Sequence, residues 1–132
     1  MGDLAYVAST SGDAAAGGRY PVGVAARSRT GPQDVRFCRA PDGVRIAYAV
    51  HGQGPPLLVS TCWVSQLLTD WESPVWRHFL RDLGRFATII RFDERGHGLS
   101  DWEVVDYSNE ARLGDLIAVA DDAGFERFAL MA

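Results

Sequence analysis

The sequence predicts an α/β domain: an N-terminal hairpin, then parallel strands joined by helices that flank the sheet. Three observations carry that prediction. Nearly continuous apolar runs at 56–60, 86–92 and 125–132 have the length and composition of strands buried on both faces of a parallel sheet. Between them lie stretches with apolar residues three and four apart, which is helical spacing. Two strand–helix–strand units in succession imply right-handed crossovers, hence strands that run the same way.

Residues 1–33 are rich in Gly, Ala, Ser and Thr, are punctuated by Gly17-Gly18 and Gly31-Pro32, and hold no sustained apolar period. They are expected to form a flexible leader, or to be translated sequence upstream of the true start. Order begins near Asp34. Val35–Cys38 and Val44–Val50 alternate at period two around Ala40-Pro41-Asp42-Gly43, a turn signal that makes them an antiparallel hairpin. His51-Gly52-Gln53-Gly54-Pro55 ends the hairpin and Pro56–Ser60 follows as a buried strand.

From Trp71 to Leu83, residues Val75, Trp76, Phe79, Leu80 and Leu83 share one face, opposite Arg77, Arg81 and Asp82. This predicts a helix entered near Ser73-Pro74 and closed at Gly84. Phe86–Phe92 is the next strand and runs into a glycine-punctuated turn, Asp93 to Ser100. A second helix is expected from Asp106–Ser108 to Asp122 or Ala123, with Leu113, Leu116, Ile117 and Ala120 inward and Glu110, Asp115, Asp121 and Asp122 outward. Gly124 stops it, and Phe125 to Ala132 is the last strand.

Composition narrows the function. Thirteen basic residues, all arginine, face 17 acidic ones for a formal net charge of -4, with no polybasic stretch, so neither nucleic acid nor an anionic membrane is an expected partner. Two cysteines, Cys38 and Cys62, are too few and too far apart for a disulfide framework and read as buried thiols. No apolar run is long enough to span a bilayer and the N-terminus lacks signal-peptide character, so the expected location is cytoplasmic. The three histidines and two cysteines have no zinc spacing. No metal or organic cofactor is implied.

Within the turn, Asp93 and Arg95 read as architecture, because a carboxylate accepting backbone N–H groups and a multiply donating guanidinium stiffen a loop that Gly96 and Gly98 let pass close to other backbone. Gly98-Leu99-Ser100 looks like the start of a nucleophile elbow, but Trp102 stands where its last glycine belongs, which makes Ser100 a turn or capping residue. His97 reads as a turn histidine, His51 as a packing or hydrogen-bonding group, and His78 as solvent-facing.

From Asp34 to Ala132 the order of motifs resembles the N-terminal half of the alpha/beta-hydrolase fold superfamily. The resemblance rests on the hairpin Pro41–Tyr48, on His51-Gly52-Gln53-Gly54-Pro55-Pro56 before the third strand, and on Asp93-x-Arg95-Gly96-x-Gly98-x-Ser100-Asp101 after the fourth. In detail the segment is similar to bacterial hydrolase-like domains found alone or fused to adenylate-cyclase or transcription-regulator modules. The resemblance implies a Gly-x-Ser-x-Gly elbow after the 125–132 strand, then an acid and a histidine, none of which has a matching position, so no catalytic residue is assigned. It also places a candidate oxyanion-hole donor or pocket-lining residue at Cys62 or Trp63.

The chain is therefore expected to be a fragment with the C-terminal half of the sheet absent, inactive alone. Its ancestral reaction would be hydrolysis of an ester or related small molecule. The alternatives are a non-catalytic module sensing a small apolar ligand, or half of a split protein. An apolar edge near Phe125–Ala132 would then be open to self-association or to a complementing chain.

Overall fold

A computed structural model of the protein describes residues 33–60 and 66–132, together with the backbone of residues 6–9. Six strands and three helices follow in the order β1 (Tyr6–Ser9), β2 (Asp34–Arg39), β3 (Arg45–Gly52), β4 (Pro56–Val59), α1 (Leu67–Glu72), α2 (Arg77–Leu83), β5 (Thr88–Phe92), α3 (Asn109–Asp122) and β6 (Arg127–Met131). One sheet holds all six strands in the order β1-β6-β4-β5-β3-β2.

The hairpin is antiparallel, with Phe37 opposite Ala47, and its turn closes through Gly43, whose φ of 90° suits a residue without Cβ. β3 runs antiparallel to β5, while β4 lies parallel to both β5 and β6. The two parallel pairings are the crossovers that the apolar runs predict. Their helices take opposite faces. Val119 and Ala120 of α3 pack with Ile46, Tyr48, Leu58, Ile90 and Phe92, whereas Leu67 of α1 packs on Ala47 and Ala49. Alternation along β3 thus sends odd positions to α1 and even positions to α3, and the two alanines bring α1 close to the sheet.

The remaining strand differs from expectation. Tyr6–Ser9 falls inside the stretch expected to be a flexible leader, yet it pairs antiparallel with β6, Tyr6 opposite Leu130 and Ser9 opposite Arg127. It therefore lies along the edge that was expected to stand open near Phe125–Ala132. The physical reason is the edge itself, since β6 has a row of backbone groups on the side away from β4 and any short extended segment can satisfy them.

Two further expectations are corrected. The helix expected from Ser73-Pro74 to Gly84 is α2, which begins later, at Arg77, and an unexpected helix, α1, precedes it and ends where Pro74 holds Ser73 at ψ 128°. Of the expected inward face only Leu80 is buried, and Val75, Trp76 and Phe79 are exposed. The line that reaches the sheet runs through Leu80 and Gly84. Gly84 is not a left-handed cap; a Cβ there would lie 2.9 Å from His51 Cδ2, so glycine is required for close approach. In α3, Leu116 and Ala120 pack inward and Glu110, Asp121 and Asp122 face outward as expected, but Asp115 is fully buried while Leu113 and Ile117 are exposed, against expectation.

Candidate functional site

In a doubly wound sheet, ligands bind beyond the carboxyl ends of the parallel strands, here the ends of β4, β5 and β6. Three segments meet that end. The first follows β4, and its expected oxyanion-hole or pocket residues Cys62 and Trp63 lie outside the described residues. The second is the turn after β5, and the third is the N-terminal half of α3.

β5 hands its last residue to Asp93, which is buried under the sheet end. The Asp93 backbone N–H donates to Ala47 O (2.9 Å), and its carboxylate accepts from Leu67 N (3.0 Å) and Leu99 N (2.9 Å). Burial pushes the Asp93 carboxyl up from the usual carboxylate range, while the two N–H bonds and the nearby Arg91 charge pull it back. Gly98, with φ of 50°, passes directly over this carboxylate, where a Cβ would strike the oxygens. Asp93 is thus the hub on which α1, the turn and β3 converge.

Ser100 completes the same hub. Its hydroxyl donates to Asp93 O (2.6 Å) and accepts from Ala47 N (2.9 Å). Its proton and a lone pair are both committed inside the core, so the oxygen is not presented to a substrate. His97, two residues after Arg95, has Nδ1 3.1 Å from Arg95 O. Among the described residues no serine or cysteine is hydrogen-bonded to a histidine, the contact that would activate a nucleophile.

Arg95, 1% exposed, is held from every side. Nε and Nη2 form a fork onto Asp115 (2.8 and 2.6 Å), Nη1 reaches Asp42 Oδ2 and Asp106 O (both 2.8 Å), and Nη2 also reaches Ala111 O (3.3 Å). The guanidinium ties the hairpin turn, the glycine turn and α3 into one piece. Its bond to Asp42 holds that carboxyl below its ordinary value, and Asp115 first, then Asp42, raises the arginine further above its own. Asp115 was missed by the sequence reading, which put it outward; its partner Arg95 lies 20 residues away in sequence.

Beside this assembly lies a cleft of about 210 Å³. Phe92 and Ser60 from the strand ends, Leu113 and Leu116 from α3, and Glu94 and Arg112, themselves paired at 3.2 Å, line it. On the other face of the sheet, Arg91 is buried in contact with Asp70 (3.2 Å), Gln33 Oε1 (2.8 Å) and Leu67 O (3.4 Å). The described residues include no cluster of metal-ligating side chains, and no helix among them is long and apolar enough to cross a membrane.

No protein-family model matches the chain, and no curated protein matches it. Solved structures do. An esterase from Rhodococcus is 32% identical over 68% of this chain and 32% of its own, with a TM-score of 0.58. An alpha/beta hydrolase from Sphaerobacter thermophilus is 28% identical over 67% of this chain and 32% of its own (TM-score 0.56), and a mutant epoxide hydrolase of Vigna radiata is 26% identical over 70% and 28% (TM-score 0.57). Strand order, paired crossovers and these likenesses agree: the chain carries part of an alpha/beta-hydrolase fold and spans about a third of the length of the solved structures it matches.

Proposed function

We propose that these 132 residues form the scaffold part of a hydrolase of small organic molecules, of ester or related type, and that they do not turn over ester by themselves. The observation that carries this reading is the state of Ser100, the one serine in an elbow-like context, whose hydroxyl is bonded to Asp93 O and Ala47 N inside the core. The likeness to an esterase and to epoxide hydrolases supports the reaction class. The chain's own part is positional: Asp93 and Arg95 fix the turn at the carboxyl end of β5, next to the cleft where a substrate would lie. Purified chain incubated with p-nitrophenyl acetate, beside Ser100→Ala and a blank, should show only the blank rate. Turnover that disappears in Ser100→Ala would overturn the reading.

A second reading, a non-catalytic module that binds a small apolar molecule, is favoured by the cleft at Phe92, Leu113 and Leu116. Its apolar wall with one ion pair at the rim suits a small ligand with a single polar end. Titration of an environment-sensitive apolar dye against the chain and against Leu116→Asp tests it; equal affinity for both would remove it.

A further inference from the structure

Two buried polar side-chain atoms among the described residues have no hydrogen-bond partner, His51 Nδ1 and Arg91 Nε. They are not scattered. β3 and β5 pair with Ala49 opposite Arg91 and His51 opposite Ile89, so His51 and Arg91 are diagonal neighbours on the face that carries α1. Both residues are almost sealed, at 4% and 2% exposure.

Their chemistry is complementary. His51 Nε2 lies 2.8 Å from Leu80 O, and a carbonyl can only accept, so Nε2 carries the proton. The neutral ring is then fixed in one tautomer and its Nδ1 presents a bare lone pair. Arg91 spends Nη1 on Asp70 and Nη2 on Gln33 and Leu67 O, which leaves its Nε–H as a donor. A buried acceptor and a buried donor thus lie on the same face of adjacent strands, where each unmatched group carries a desolvation cost. Diagonal neighbours across a strand pair are about 7–8 Å apart at the backbone, within reach of long side chains such as these.

We propose that His51 and Arg91 form a binding site for one small hydroxylic molecule, water in the first instance, which accepts from Arg91 Nε–H and donates to His51 Nδ1. The bound molecule joins β3 to β5 at the point where α2 ends on the sheet, because the same histidine holds Leu80 O, meets Trp71 edge-on at 4.9 Å, and sits against Gly84. Burial first, and then the Arg91 charge, hold His51 below the ordinary imidazole value, which keeps the lone pair free to accept. Nothing in this site touches the cleft at the other face, so it stands apart from the proposed hydrolase chemistry.

The test is nuclear magnetic resonance on the isotopically labelled chain. His51 should be the tautomer with its proton on Nε2, and Arg91 Hε should exchange slowly and show a cross-peak to a long-lived water. His51→Phe, which keeps a ring against Trp71, should abolish that cross-peak and speed Arg91 Hε exchange by about tenfold or more, the scale of one lost buried hydrogen bond. A proton on His51 Nδ1, a direct coupling between Arg91 Hε and His51 Nδ1, or an Arg91 Hε with no water cross-peak would each overturn the proposal, and all three are read on the unmutated chain. A water cross-peak that persists unchanged in folded His51→Phe would overturn it as well.

Discussion

The two crossovers of this sheet each bury an arginine, and they do so differently. In the connection from β5 to β6, Arg95 meets a fork from Asp115, a second carboxylate and two carbonyls. Under α1, in the crossover from β4, Arg91 of β5 meets one carboxylate at 3.2 Å, an amide and a carbonyl, and its Nε has no protein partner. Burying a charge is tolerable only when its donors are matched, so the first crossover is a finished structural joint and the second leaves a donor for something else. The packing follows the same division. The turn after β5 is closed around Asp93 and Ser100, whereas Val75 and Trp76 just before α2 and Phe79 within it are exposed.

Breaking the finished joint should have the largest effect. Asp115→Ala leaves a fully buried guanidinium short of its main partner and should cost about 3–5 kcal/mol in urea unfolding. Replacing both members, Arg95→Met with Asp115→Leu, should recover part of that loss, because no charge is then stranded. A loss below about 1 kcal/mol for Asp115→Ala would erase the contrast between the crossovers.

Gly98→Ala probes the same turn through the backbone. At φ of 50° a non-glycine residue carries roughly 1–3 kcal/mol of strain, to which displacement of the Asp93 carboxylate is added. Calorimetry should show a lower Tm, and an unchanged Tm would mean that the turn relaxes freely.

The second crossover is sharpened by pH. His51 is buried neutral with its pKa lowered, first by burial and then by Arg91, while Leu80 O pulls the other way. Protonation therefore favours the unfolded chain, so the stability His51 supplies is complete above the ordinary imidazole value and is lost as pH falls from there toward the depressed one. Asp70 on α1 and Asp93 just after β5 face Arg91, and Arg81 stands over Trp71, so His51→Phe is the control that isolates the imidazole. It should flatten the decline in stability as pH falls below about 6.5; an identical decline would assign the effect elsewhere.

The smallest change is expected at Arg45 and Asp101, a pair at 3.4 Å with both side chains 40% or more exposed. Arg45→Ala should cost about 0–1 kcal/mol, and a larger value would mean that the contact over Phe37 matters more than the ion pair.

The strands were legible because β2 and β3 alternate at period two around a Pro-Asp-Gly turn and β4, β5 and β6 fall in continuous apolar runs, and all five lie where those signals predict. What escaped notice involved partners distant in sequence. Asp115 reads as a solvent-facing acid on a helix until Arg95, 20 residues away, is brought beneath it. The apolar spacing of Val75, Trp76 and Phe79 predicts burial, but a seven-residue helix anchored at Leu80 and Gly84 turns that face away from the sheet. Tyr6–Ser9 is too short a run to announce a strand; its partner edge makes it one. At the candidate site, Asp93, Arg95, Gly96 and Gly98 were picked out by the turn chemistry alone, and the buried charge that Arg95 needs was not.

The Ser100 hydroxyl has one consequence that reaches into spectroscopy. A hydroxyl proton in contact with solvent exchanges too fast to be observed, but this one is clamped between a carbonyl and a backbone N–H in a residue 2% exposed. It should give a resolved proton resonance of its own, and the temperature at which that line broadens would report the first opening of the sheet's carboxyl end, well before the molecule unfolds.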